Sequence, residues 1–296
     1  GKEVHRLDER TSYVVSVDFS PDGTLVLTGL NNGTANLWEV ATGKKVQSME
    51  GHRGSITSVG LSPDGKLIVT GSADQTARIW EVNSGKEVYS LEGHTRTVES
   101  VTFSPDGKWV LTGSKDGTAK IWDVVTGKEV YTLQGHTYGI TSVAFSPDGK
   151  LVVTGSSDDT AKLWEVTTGK EVHILVGHTY GITSVGFSPD GKQVVTGSAD
   201  QTARIWEVNS GKEVYTLQGH THGITSVAFS PDGKQVVTGS IDPKLWGVAT
   251  GQEVYTLQGH TYGIASVAFS PDGKLMLIGA DDGIAKLWEI ATGKKV

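Results

Sequence analysis

The tetrapeptide Ser-Pro-Asp-Gly occurs seven times, beginning at Ser20, Ser62, Ser104, Ser146, Ser188, Ser230 and Ser270. Five of the six intervals between these serines are equal, at about 42 residues, a period that marks a repeat architecture, and the last is two residues shorter. Two further markers keep the same register. Trp38, Trp80, Trp122, Trp164, Trp206, Trp246 and Trp288 each precede Glu or Asp, except Trp246, which precedes Gly247. Gly-His appears six times, at His52, His94, His136, His178, His220 and His260, and Glu9 and Arg10 stand in its place in the first unit. A unit of this length is too small to bury a core alone. It must stack on its neighbours, so the repeat overrides the two domains that 296 residues would otherwise suggest.

Within residues 135–176 the pattern predicts four short strands. Residues 139–145 are mostly β-branched or apolar and end at Ser146-Pro147-Asp148-Gly149, a type I turn with Ser first, Pro fixing φ second and Gly fourth. A second strand follows over 150–155, a third over 160–166 and a fourth over 170–176, separated by Ser156-Ser157-Asp158-Asp159 and Thr168-Gly169. Closely and evenly spaced turn signals, with no helical periodicity between them, predict an all-β chain of four antiparallel strands per unit.

Composition removes several classes of function. There are 26 basic and 33 acidic residues, a formal charge of −7, and no run of more than two Lys or Arg, which argues against a nucleic-acid partner. The absence of cysteine excludes disulfides and thiolate metal sites. No apolar run approaches a membrane span and no signal-peptide region opens the chain, so a soluble, cytoplasmic protein with no membrane partner is expected. Because the chain begins at Gly1 without Met, it is expected to be a piece of a longer protein.

The order Gly-His, Ser-Pro-Asp-Gly, Thr-Gly-Ser-x-Asp-x-Thr and Trp-Glu or Trp-Asp, kept at this period, resembles the WD-repeat family over essentially the whole chain. The near-identity of the repeats is closest in character to bacterial highly repetitive arrays: residues 69–89 and 195–215 are the same. The resemblance implies one domain over 1–296, a seven-bladed β-propeller of four-stranded antiparallel blades. Its units are 9–50, 51–92, 93–134, 135–176, 177–218, 219–258 and 259–296, with 1–8 supplying the N-terminal strand that closes the seventh blade. It also implies a hydrogen-bonded tetrad in each regular blade. The members are His52, Asp74 and Trp80; His94, Asp116 and Trp122; His136, Asp158 and Trp164; His178, Asp200 and Trp206; each set is completed by a second-strand hydroxyl such as Thr154 or Ser156.

Three units depart from this pattern. Unit 1 lacks the His and has Asn32 in place of the Asp, so both partners leave together. In unit 7 Ile278 and Ala280 replace both hydroxyls. Between Thr238 and Trp246, unit 6 is two residues short, which preserves the inward face of Trp246 but tightens the turn. A weakened tetrad and a notch beside His222 and Tyr262 are expected there.

Catalysis and metal binding find little support. Six histidines are dispersed one per repeat, and His220-x-His222 is the single close pair. There is no Gly-x-Ser-x-Gly, no cysteine and no phosphate loop, and a catalytic site requires an asymmetry that repeated polar residues lack. No cofactor, metal or catalytic residue is expected. The reading is a monomeric, non-catalytic module that binds protein or peptide, within a larger signalling or regulatory protein. Its candidate contacts, carried over from the family's ligand face, are Tyr13, Val15, Glu99, Lys115, Tyr138, Tyr180, His222, Tyr262 and Asp281. The alternatives are a structural or engineered scaffold without ligand and a propeller hydrolase or lyase with a channel site.

Overall fold

The computed structural model describes residue 7 and residues 12–257, 263–270, 272–280 and 285–295. Among these there is no helix. The chain forms seven four-stranded sheets, each antiparallel with its strands in sequence order, and these are the blades of an all-β propeller. Blade 4 consists of Ile140–Phe145, Leu151–Ser156, Thr160–Glu165 and Glu171–Val176, within a residue or so of the predicted strands. In blade 7 the fourth position is held by Lys294–Lys295, with Lys295 opposite Trp288. The N-terminal strand expected to close that blade lies outside the described residues.

Each Ser-Pro-Asp-Gly turn is held by its own side chains. Ser104 Oγ donates to Asp106 Oδ1 at 2.7 Å, and the amides of Lys108 and Trp109 return to Asp106 Oδ1 and Ser104 Oγ. Gly107 closes the turn at φ 71°, where a side chain would be strained.

The chain divides into two compact units, one of residues 2–145 with 166–170, the other of 146–165 with 171–296 and Gly1. In both, the core lies between consecutive sheets, as a unit too small for its own core requires. In the first, Leu27 and Leu37 of blade 1 pack with Ile56, Val59, Ile68 and Trp80 of blade 2. In the second, Val195 and Ile205 of blade 5 pack with Ile224, Val227, Val236 and Trp246 of blade 6. The glycine that follows the second-strand threonine permits this approach: a Cβ on Gly29 would sit 2.6 Å from Ile56, and one on Gly197 2.7 Å from Ile224. Burial of such side chains contributes about 1.5–3 kcal/mol each.

Polar bonds fix the stacking at both edges of the sheets. On the first strands, the amides of Val59, Val101 and Val143 donate to Ser16, Ser58 and Ser100 of the preceding blade in the first unit, and those of Val227 and Val267 to Ser184 and Ser226 in the second. On the fourth strands, Tyr89 and Tyr131 donate their hydroxyls to Val125 O and Thr167 O, and Tyr215 to Ala249 O. His173 takes the same role in blade 4, its Nε2 lying 3.0 Å from Asn209 O.

Candidate functional site

In blade 2, His52 lies between Asp74 and Thr70, its Nδ1 2.8 Å from Asp74 Oδ2 and its Nε2 2.7 Å from Thr70 Oγ1. Trp80 Nε1 donates to the same hydroxyl at 2.9 Å. Blade 3 repeats this with His94, Asp116, Thr112 and Trp122, and blade 5 with His178, Asp200, Thr196 and Trp206. Trp Nε1–H donates to Thr, and because an ionised carboxylate only accepts, His Nδ1–H donates to Asp and leaves Nε2 to accept the Thr O–H. That order requires a neutral imidazole. Burial lowers the pKa of His52, His94 and His178, against the opposing pull of each aspartate.

The aspartates are charged. Burial acts to raise the pKa of Asp74, but bonds from the Thr76 hydroxyl, the Arg53 amide and His52 outweigh it and hold the carboxyl down at about 2. Thr, not Ser, supplies the hydroxyl of the tetrad. Ser72 Oγ instead donates to Gly54 O and accepts the Asp74 amide, tying the Gly-His loop to the Asp turn. In blade 4, Trp164 Nε1 donates to Thr154 at 2.9 Å, and Asp158 takes the amide and hydroxyl of Thr160. His136 is half-buried at the head of the same blade.

The three irregular blades differ in what they leave unpaired. In blade 1, Trp38 still donates to Thr28, and Asn32 caps the Thr34 amide. In blade 7, Ile278 offers no oxygen, and the buried Trp288 Nε1 has no hydrogen-bond partner among the described residues. In blade 6, Thr238 Oγ1 accepts from Trp246 Nε1 and lies 2.6 Å from His220 Nε2, but His220 Nδ1 is buried without a partner among the described residues and Asp242 is exposed. Burial, together with the nearby Lys244, pushes His220 down to about 4. His222 is exposed, with its Nδ1 3.0 Å from Thr221 Oγ1, so it shares no ligand position with the inward-facing His220. Among the described residues, no group of three or more His, Asp or Glu could hold a metal ion.

The rim candidates fall in both units. In the first, Tyr13 is 80% and Tyr138 67% exposed, and Lys115 Nζ pairs with Glu99 at 2.8 Å. Val15 is half-exposed on the first strand of blade 1. Tyr138 and Lys115 border an open depression of about 380 Å³ lined also by Thr95, Arg96, Thr137 and Gly139. Arg96, exposed in this depression, was not among the sequence candidates. Its signal was that the second position after Gly-His carries a cation in this repeat alone. In the second unit, Tyr180 is 65% exposed and its carbonyl takes the Ser198 hydroxyl. Tyr262 and Asp281 lie outside the described residues. Thr57, on the first strand of blade 2, donates its hydroxyl to Val98 O and serves the contact with blade 3.

The model described as the IFT122 first beta-propeller matches residues 139–296, and that described as WD domain, G-beta repeat matches 1–39, 43–81 and 85–123. No curated protein matches the chain. Seven four-stranded blades, the His–Thr–Trp–Asp network in its regular repeats and these two matches together place the chain in the WD-repeat β-propeller family.

Proposed function

We propose that the chain is a non-catalytic module that binds a protein or peptide segment on the face carrying the Gly-His loops, the role that WD-repeat propellers typically play. One observation carries the reading. The repeated polar groups of blades 2, 3 and 5 are satisfied inside their own blade, whereas Tyr138 stands exposed beside Arg96 and the Lys115–Glu99 pair. Buried, internally saturated His and Asp side chains are poor general acids or bases, because no reacting group can reach them. Exposed tyrosines flanked by charge are what binding anchors look like before a partner arrives.

The test is selection of a displayed random-peptide library on the folded chain. Recovered peptides are then titrated against Tyr138→Ala, Arg96→Ala and, as a control on the Ser-Pro-Asp-Gly face, Lys108→Ala, each checked for fold by circular dichroism. A loss of about tenfold or more, the size of a hot-spot truncation, is expected for the first two variants and none for the third. Equal binding by all three would overturn this placement, and recovery of no peptide would remove the binding reading.

A further inference from the structure

The fourth strand of blade 4, Glu171–Val176, ends its sheet and is unlike the others. Its alternate residues Val172, Ile174 and Val176 share one face and are 44%, 46% and 68% exposed. The intervening residues anchor the strand: Leu175 is fully buried, and His173 reaches Asn209 O. Where blade 4 has Ile174, other repeats have Ser48, Ser90, Thr132, Thr216 or Thr256; where it has Val176, they have Glu50, Glu92, Gln134, Gln218 or Gln258.

The exchange brings blade 4 no internal gain. In blades 3 and 6 the buried Lys120 and Lys244 donate to Thr132 and Thr256 at 2.8 and 2.7 Å, whereas Ile174 offers Lys162 no hydroxyl. Polar and charged residues on the other edges are the usual protection against edge-to-edge pairing, and blade 4 has lost that protection. A local rule broken without local compensation points to a contact made outside the blade.

We propose that this strand pairs antiparallel with the same strand of a second copy of the chain, in the register centred on Ile174. A two-fold axis then sets Ile174 against Ile174 of the second copy and Val172 against Val176 of the second copy, so one apolar stripe covers itself. Charge favours this occupant and this blade. Glu171, the only charged residue of the strand, is neutralised by Lys162 Nζ at 2.6 Å and falls opposite Gly177 of the second copy. In the same register blades 1 and 2 would set Val46 and Val88 against the carboxylates of Glu50 and Glu92. A single strand pair lies at the small end of specific interfaces, so the association is reversible and concentration-dependent.

The experiment uses the whole chain. Sedimentation velocity from about 1 μM to about 1 mM, the range of a weak interface, is expected to show a monomer–dimer shift. Ile174→Thr/Val176→Gln, which installs the residues that blade 3 carries, is expected to abolish the shift with an unchanged circular dichroism spectrum. The chain has no cysteine, so single substitutions read the register directly. Under oxidation Ile174→Cys should form covalent dimer several-fold faster than Val172→Cys or the blade 5 control Thr216→Cys. A monomer at every concentration, a shift that survives the double variant, or equal cross-linking of the three cysteines would each overturn the proposal. The first result would leave the stripe to a different protein, the second would move the contact to another surface, and the third would remove the register.

Discussion

Blades 5 and 6 share most of their sequence, including the whole run from Phe187 to Ser198 and from Phe229 to Ser240, and differ in the length of one turn. In blade 5 the turn after Ser198 carries Asp200 to His178 Nδ1 at 2.7 Å. In blade 6 the turn after Ser240 is two residues shorter, Asp242 is exposed, and His220 Nδ1 is left buried and unpaired among the described residues. The other half of the network is unchanged: Trp206 and Trp246 donate to Thr196 and Thr238 at 2.9 and 2.8 Å. The stacked core survives the deletion because Trp246 keeps its face, whereas the carboxylate bond does not because it depends on the path of the turn. Packing tolerates a two-residue change in a strand connection; a directed hydrogen bond does not.

The largest expected difference between the two blades is their response to acid. His220 is depressed in the fold from 6.5 to about 4, so the unfolded state binds the proton first. Its stabilising contribution is complete above pH 6.5 and is lost as pH falls toward 4, a total of about 3 kcal/mol. His178 is depressed as well, but Asp200 opposes the shift, so its loss is smaller. Amide exchange followed from pH 7 to pH 4, corrected for intrinsic rates, should show protection falling more in blade 6. Equal falls would mean that the unpaired Nδ1 has no energetic consequence.

Removal of the carboxylate sharpens the same contrast. Asp200→Ala should cost about 1–3 kcal/mol, since it deprives His178, Thr179 and Thr202 of an acceptor, and Asp242→Ala less than about 0.5. Urea denaturation of the two variants measures the difference, and equal costs would show that Asp242 supports its blade after all.

Repair is the converse. Replacement of Ile241-Asp242-Pro243 by Ala-Asp-Gln-Thr-Ala, the turn of blade 5, should stabilise the chain by about 1 kcal/mol. It should also raise the His220 pKa from about 4, read by NMR titration of the imidazole. A pKa left unchanged would show that turn length is not what separates the blades.

The smallest effect concerns a residue blade 6 has dispensed with. Gln201 adopts φ 72°, a left-handed position that Gly117 fills at φ 84° in blade 3. Gln201→Gly should stabilise by about 0.5–1 kcal/mol, relief of side-chain strain outweighing the greater freedom of the unfolded glycine. A destabilised variant in thermal melts would mean that the Gln side chain contributes more than its strain costs.

Much of this was legible from the repeat. The period predicted the blades, and the paired loss of His and Asp in unit 1, the missing hydroxyls at Ile278 and Ala280, and the short turn of unit 6 marked the three irregular blades. Other features were not. Thr154 and Ser156 are two residues apart on one strand and point to the same face, so alternation could not choose the tetrad hydroxyl between them. The role of His173 as a substitute for tyrosine depends on the backbone of the next blade, 36 residues away. The exposure of Arg96 depends on which loops border it in space.

By itself the sequence determined the class of solution: units too small for a core of their own, with strand-length apolar runs and turn residues at fixed offsets, had to become stacked four-stranded sheets. Only the tertiary structure decided which donor meets which acceptor. Hydrophobic burial is non-directional and reads from composition and period, whereas a hydrogen bond is made or lost over a fraction of an ångström. His220 and Asp242 occur in blade 6 as their counterparts do in blade 5, and the path of one turn keeps them apart.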